Sequence, residues 1–365
     1  MKLPRLRVKN FCLEDPIFLG GMGVGVTLDK LPVAVTKEGG LGVTSSAGLR
    51  AIAFARDGKV VDTYTAVREK VEWLKYLSGG RPIGINVMCA LFGDFKPTIL
   101  GAVDGGADAI VSGAGLPMEL PRIKPPGNTA LIPIVSSARA LNLILKRWEG
   151  MGYRPDAVVV EGPKAGGHIV CDVNWLDNPE YALENILPPI LDLASKHGGF
   201  PVIVAGGIYT HQDILKFLAM GASGVQMGTR FMVTHESEAT AEYKQAVISA
   251  GVDDIMVVSC PGNAPASPCG LPLRILKTSP MYQDRRQLKC DKGYVLQRDS
   301  EGKLSVCRAM PSHPDCEKFL CICNGLLSSA GYGPKELSLY TVGTNAYRVD
   351  RTLSVAELMR ELRGE

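Results

Sequence analysis

One histidine in this chain is placed where it could exchange a proton with a bound molecule: His168 closes the run ProLysAlaGlyGlyHis (Pro163 to His168), directly after two glycines. An imidazole titrates near neutral pH, so on a loop beside a ligand it can serve as acid, base or polarising group, although an isolated histidine is commonly structural or merely solvated. Glu161, two residues before that run, could hydrogen-bond a cofactor, orient the loop or sit in an ion pair. Asn86 both donates and accepts, which suits the edge of a planar heterocycle and equally a buried turn. Two glycine clusters lie further on, AlaGlyGlyIle (Ala205 to Ile208) and GlyThrArg (Gly228 to Arg230). Glycine lets backbone N–H groups approach an anion closely, so Gly206, Gly207, Gly228 and Thr229 together form a candidate phosphate cup.

The elements that must position these residues are short β-branched runs alternating with helical segments. Strands are expected at Pro16 to Leu19, Leu41 to Thr44, Pro82 to Val87, Ala109 to Ser112, Ile132 to Val135, Ala157 to Val160, Val202 to Ala205 and Gly224 to Met227. Helical patterning fills several of the gaps, at Tyr64 to Leu77, Ala138 to Glu149, Pro179 to His197 and Gln212 to Met220. This alternation argues for parallel strands joined by helices. Eight such units within about 215 residues fit a (β/α)8 TIM barrel better than an open doubly wound sheet. In a barrel the chemistry sits just after the strands, and the unusual residues obey that rule. Gly20, Gly21 and Met22 follow the first strand, Ser136 and Ser137 the fifth, and Glu161 the sixth. A phosphate on the last two loops would belong to a flavin mononucleotide or to a phosphorylated substrate, and the residues alone leave both open. The glycines from Gly20 to Gly25 do not make a dinucleotide fingerprint, because Leu28 stands where the third glycine would fall after Gly23 and Gly25.

The 365 residues, 46% of them hydrophobic, allow a barrel at 1–235 followed by a helical and cysteine-rich region at 236–365 packing on it. Helices are expected at Glu236 to Ala250 and Leu353 to Leu362, the second opened by a Ser354/Glu357 capping box. Interspersed charges with a net value of +3 give no footprint for nucleic acid or anionic lipid. No apolar stretch reads as a signal or a membrane span, so the expectation is a cytoplasmic protein acting on a small molecule, with a homodimer admissible.

Several motifs in order carry a family resemblance: GlyGlyMet at Gly20, LysGluGlyGlyLeuGly at Lys37 to Gly42, GlyIleAsnValMet at Gly84 to Met88, GluGly and AlaGlyGlyHis between Glu161 and His168, AlaGlyGlyIle at Ala205, and GlnMetGlyThrArgPhe at Gln226 to Phe231. Together, over roughly residues 10 to 250, they resemble the nitronate monooxygenase (2-nitropropane dioxygenase) superfamily, which includes FMN-dependent enoyl-ACP reductases and NAD(P)H:quinone reductases. The resemblance implies an FMN whose ring lies over Gly20, Gly21 and Met22 and near Asn86, with its phosphate on Gly206, Gly207, Gly228 and Thr229. Ser137, Glu161, Gly166, Gly167, Ala205 and Gln226 complete the implied cofactor site, and His168 matches the active-site histidine. The implied activity is oxidation of alkyl nitronates with O2. The alternatives are an NAD(P)H-dependent FMN reductase acting on enoyl thioesters or quinones, and a flavin-binding protein without turnover. Ser136 and Ser137 stand where some of the monooxygenases carry a lysine, which is closer to the reductase pattern.

Seven of the ten cysteines fall between Cys260 and Cys323. Cys290, Cys307, Cys316, Cys321 and Cys323 are candidate ligands for an Fe–S cluster or zinc, although no C-x-x-C is present. Buried free thiols or disulfides are the competing expectation.

Overall fold

All eight expected strands form, each within two residues of its expected limits, in a computed structural model that describes residues 2–260, 265–283, 290–298 and 304–365. The stretches 261–264, 284–289 and 299–303 of the irregular cysteine-rich segment lie outside the described residues. In chain order the barrel strands are Ile17–Leu19, Gly42–Ser45, Ile83–Met88, Ala109–Gly113, Ala130–Val135, Val158–Glu161, Val202–Ala205 and Gly224–Met227. Every pairing is parallel, each strand beside its sequence neighbour, with the eighth beside the first. The ring closes through the parallel bridge Phe18↔Leu41, where Leu19 N donates to Leu41 O and Leu41 N donates to Ile17 O, both at 2.9 Å. The architecture is a (β/α)8 barrel, and the open sheet is excluded.

Strand parity decides which residues reach the barrel mouth, because successive side chains point to opposite faces. Phe18, Val43, Val111, Ile132, Val159 and Ile203 fill the interior. Residues of the opposite parity, including Ile85, Val87, Val158, Val160, Val204 and Val225, pack outward against the helices. Counting two residues on from Val159 and Ile203 brings Glu161 and Ala205 to the upper rim, facing inward; Asn86 and Gln226, flanked by outward-facing neighbours, face inward too. The hairpin Leu6–Val8/Phe11–Leu13 closes the other end: its apolar residues join the interior cluster, and Lys9 Nζ donates to Thr129 O just before the fifth strand.

The helices Thr63–Leu77, Ala138–Glu149, Leu183–Lys196 and His211–Ala219 occupy the expected gaps. The helix expected from Glu236 is shorter, Ala241–Ile248, because Thr240 caps it and the preceding carboxylates cap other helices. Glu238 accepts from the backbone N–H groups of Asp29 and Lys30 at the start of Lys30–Lys37, and Glu236 accepts from Val355 N at the start of Val355–Arg363. That last helix carries the expected Ser354/Glu357 capping box and returns to the barrel, where Arg363 Nε lies 2.9 Å from Asp15 Oδ2. Leu273–Leu276 pairs antiparallel with Ile255–Val258 on one side and with Gly167–His168 on the other, so the C-terminal region hydrogen-bonds directly to the histidine loop. No helix among the described residues is long and apolar enough to cross a membrane.

Candidate active site

A cavity of about 250 Å³ opens where the strand ends converge. Its lining includes Gly20, Gly21, Met22, Asn86, Glu161, Gly166, Gly167, His168, Ala205, Gly206, Gly207, Gln226, Gly228 and Thr229. Of the residues named from sequence for the cofactor or the chemistry, Ser137 alone is not among them. It follows the fifth strand at outward parity and caps the next helix, accepting from Ala140 N at 3.2 Å.

The glycines are required by close approach as much as by conformation. A Cβ on Gly21 would fall 2.2 Å from Asn86 Cβ, and one on Gly206, whose φ is +98°, would fall 2.9 Å from Gly162 O. These contacts keep the floor of the cavity as bare backbone. A loop at Thr341–Asn345, marked by no motif, joins this edge of the cavity: Thr229 Oγ1 accepts from Gly343 N at 2.9 Å and Asn345 Nδ2 donates to Gly207 O at 2.6 Å. Lys164 adds a cation at the same edge. Leu273, Tyr294, Val295, Ile322, Cys323 and Leu326 form an apolar cover over the opening.

Within this shell, Gln226 Oε1 is buried with no hydrogen-bond partner. An orphaned buried acceptor costs about 1–3 kcal/mol, so its presence in a cavity calls for a donor supplied by a ligand. A planar ring with an N–H at its edge, over the Gly20–Met22 backbone, and a phosphate on the Gly206/Gly228 cup would satisfy both features. The residues present therefore fit FMN.

Glu161 accepts from Val170 N at 3.1 Å and so orients the histidine loop. Burial holds its carboxyl well above the ordinary range, to about 7, outweighing the Val170 hydrogen bond and the charges of His168 and Arg274. Arg274, buried, clamps the same loop through the carbonyls of Ala165 and Pro163. A carboxyl whose folded-state proton affinity is raised imposes no cost while the unfolded chain is also protonated, and an increasing one as pH rises from 4.5 to about 7. We predict that in cofactor-free protein Glu161→Gln gains stability relative to the parent across that window, by roughly 3 kcal/mol at its upper end. Urea midpoints at several pH values check this; parallel curves for the two proteins would show that the carboxyl carries no such cost.

Among the described residues no three His, Cys, Asp or Glu side chains are arranged to hold a metal ion. All ten cysteines are free. Cys290 exchanges hydrogen bonds with the thiols of Cys307 and Cys321, Cys323 faces the cavity, and Cys316 sits apart in the short turn Cys316–Lys318. The buried thiols pack into the same apolar core as the barrel helices.

The cavity at the barrel mouth thus joins a glycine floor to a loop histidine. The family model described as nitronate monooxygenase matches residues 94–365, and the chain belongs to that family. The chain spans 64% of the length of the first curated relatives it matches. The chain is 27% identical over 266 residues to the Mycobacterium tuberculosis (3aS,4S,5R,7aS)-5-hydroxy-7a-methyl-1-oxo-octahydro-1H-indene-4-carboxyl-CoA dehydrogenase, an alignment covering 73% of this chain and 64% of that protein's length. It is also 27% identical to a probable nitronate monooxygenase of Bacillus subtilis, over 68% of this chain and 74% of the other. Among solved structures, FabK from Thermotoga maritima shares the fold with a TM-score of 0.68 at 22% identity, covering 96% and 92% of the two chains. Nitroalkane oxidase from Streptomyces ansochromogenes does so with a TM-score of 0.66 at 20% identity, covering 96% and 95%.

Proposed function

We propose that this chain binds FMN at the barrel mouth and oxidises alkyl nitronates with O2, yielding a carbonyl compound and nitrite. The observation that carries the reading is the unpartnered Gln226 Oε1 inside a glycine-floored cavity that ends in an anion cup. Gly206, Gly207, Gly228 and Thr229 would hold the phosphate, while Gly20, Gly21, Met22, Asn86 and Gln226 would hold the ring. When bound, FMN supplies electron-accepting capacity that no side chain possesses. The protein's own part is to bind and orient the small-molecule substrate, to exclude water beneath the apolar cover, and to hold a proton at His168. A protonated imidazole there pairs with the negative charge of a nitronate. Ten free thiols suit a reducing cytoplasm, where we place the enzyme.

A second reading has its own support. One curated relative acts on a CoA thioester by its name, and Ser137 caps a helix where some nitronate enzymes carry a lysine. In this reading NAD(P)H is the reductant and an enoyl thioester or quinone the acceptor.

Anaerobic mixing of the holoprotein with an alkyl nitronate, NADH and NADPH separately, followed by flavin absorbance, decides between them. We expect the nitronate alone to bleach the flavin. Rapid bleaching by a nicotinamide only would transfer the assignment to the reductase, and absence of any bound flavin would sink both.

A further inference from the structure

His168 has a second group behind it. The antiparallel pairing Leu273↔His168 carries the preceding turn, Ser267 to Leu271, up against the imidazole. His168 Nε2 lies 2.8 Å from Ser267 Oγ, and Ser267 Oγ lies 3.0 Å from Cys269 Sγ. His168 and the backbone of Leu271 lie close enough to the Cys269 thiol to act on its charge. Ser267 is completely buried, and its single hydroxyl proton can go to only one of its two neighbours at a time. Imidazole, hydroxyl and thiol therefore form one chain through Ser267 next to the cavity, and Cys269 does not line the cavity itself.

We propose that Cys269 is a positioning residue of this site: its thiolate, linked to His168 through the Ser267 hydroxyl, holds the imidazole in the protonated form that meets an anionic substrate. The inference rests on the reading of His168 as the proton-holding group of the enzyme. The step is a proton transfer alone: the S–H bond of Cys269 breaks, an N–H bond forms on His168, and no electrons change hands. Burial on its own would favour the neutral forms of both groups. For His168 that effect is outweighed by the Cys269 charge and by Glu161, so its proton affinity ends above the ordinary value. For Cys269 burial is outweighed by the charge of His168, the Ser267 hydroxyl and the Leu271 backbone, bringing the thiol down to about 7. The other ionisable groups acting on the pair are Glu161 from the sixth strand, Arg274 through Glu161, Cys171 beside Arg274, and Cys323 from the covering helix.

The test is a histidine NMR titration of the labelled holoprotein, whose five histidines give a sparse spectrum in which His168→Asn identifies the resonance of interest. In the parent, His168 should titrate above the free-histidine value. Cys269→Ser should lower that midpoint by about one to three pH units, and Cys269→Asp, which restores a negative charge, should raise it again. The alkaline limb of kcat/KM should move with it. A midpoint in Cys269→Ser equal to the parent's overturns the proposal, and so does a parent His168 that titrates below the free value, which does not depend on the Cys269 variants folding. If instead His168→Asn keeps full turnover, the proton-holding role of His168 fails while the NMR result on the ion pair stands separately.

Discussion

Replacing His168 by asparagine is expected to lower turnover by about 10²–10⁴-fold while leaving the flavin bound. Asparagine is too short to replace the Nε2 contact to Ser267 Oγ, 2.8 Å in the parent, but the backbone of Gly167–His168 stays paired to Leu273 and Arg274. The variant therefore removes the titratable group without dismantling the loop that presents it. Glu161 still ties Val170, and Arg274 still clamps Pro163 and Ala165. None of the residues that form the anion cup is touched. Flavin content measured by absorbance and turnover measured with the donor that bleaches the parent give the two readouts. Loss of both together would mean that the histidine is structural; an unchanged turnover would remove it from the chemistry.

The barrel and most of its mouth were legible in the sequence because each depends on local patterns. Eight β-branched runs set the strand count, and position at or just after a strand end singled out Asn86, Glu161, Ala205 and Gln226, which the structure places in the cavity lining. Ser137 shows the limit of reading position without parity: it follows a strand, but at the register that caps a helix. What could not be read were the contacts made by chain returning from far away. The pairing of Leu273 with His168 places Ser267 and Cys269 behind the imidazole, and the Thr341–Asn345 loop joins the edge of the cavity, yet neither segment carries a periodicity or a motif. The placement of the cysteines was illegible for a related reason. Cys323 stands in the cavity wall, while Cys269 belongs to the network at His168. Spacing along the chain reports proximity only inside a regular element, and most of this segment lies outside any.

The same geometry separates cofactor binding from folding, which makes Gly228→Asp the second large expected effect. Gly228 has φ of −119° and caps the short helix Thr229–Met232, so its backbone conformation is open to any residue. A Cβ there meets Met22 Sδ at 3.4 Å, the end of a flexible side chain, in contrast to Gly21, where the same atom would overlap Asn86 at 2.2 Å. Aspartate can thus be accommodated by the fold, and its carboxylate would enter the cavity that Gly228 lines beside Met22. Opposing a bound phosphate with a like charge, and occupying the space for it, should weaken FMN binding by more than about 100-fold, since each 1.4 kcal/mol is a factor of ten and juxtaposed like charges cost several kcal/mol. The purified variant should be colourless. Its thermal midpoint should match that of the parent stripped of flavin, because what it lacks is the stabilisation contributed by the ligand. Flavin titration by fluorescence quenching gives the affinity, and calorimetry of the two cofactor-free proteins gives the fold control. Undiminished affinity would show that the phosphate is held elsewhere in the mouth, and the assignment of Gly206, Gly207, Gly228 and Thr229 would then be wrong as a unit.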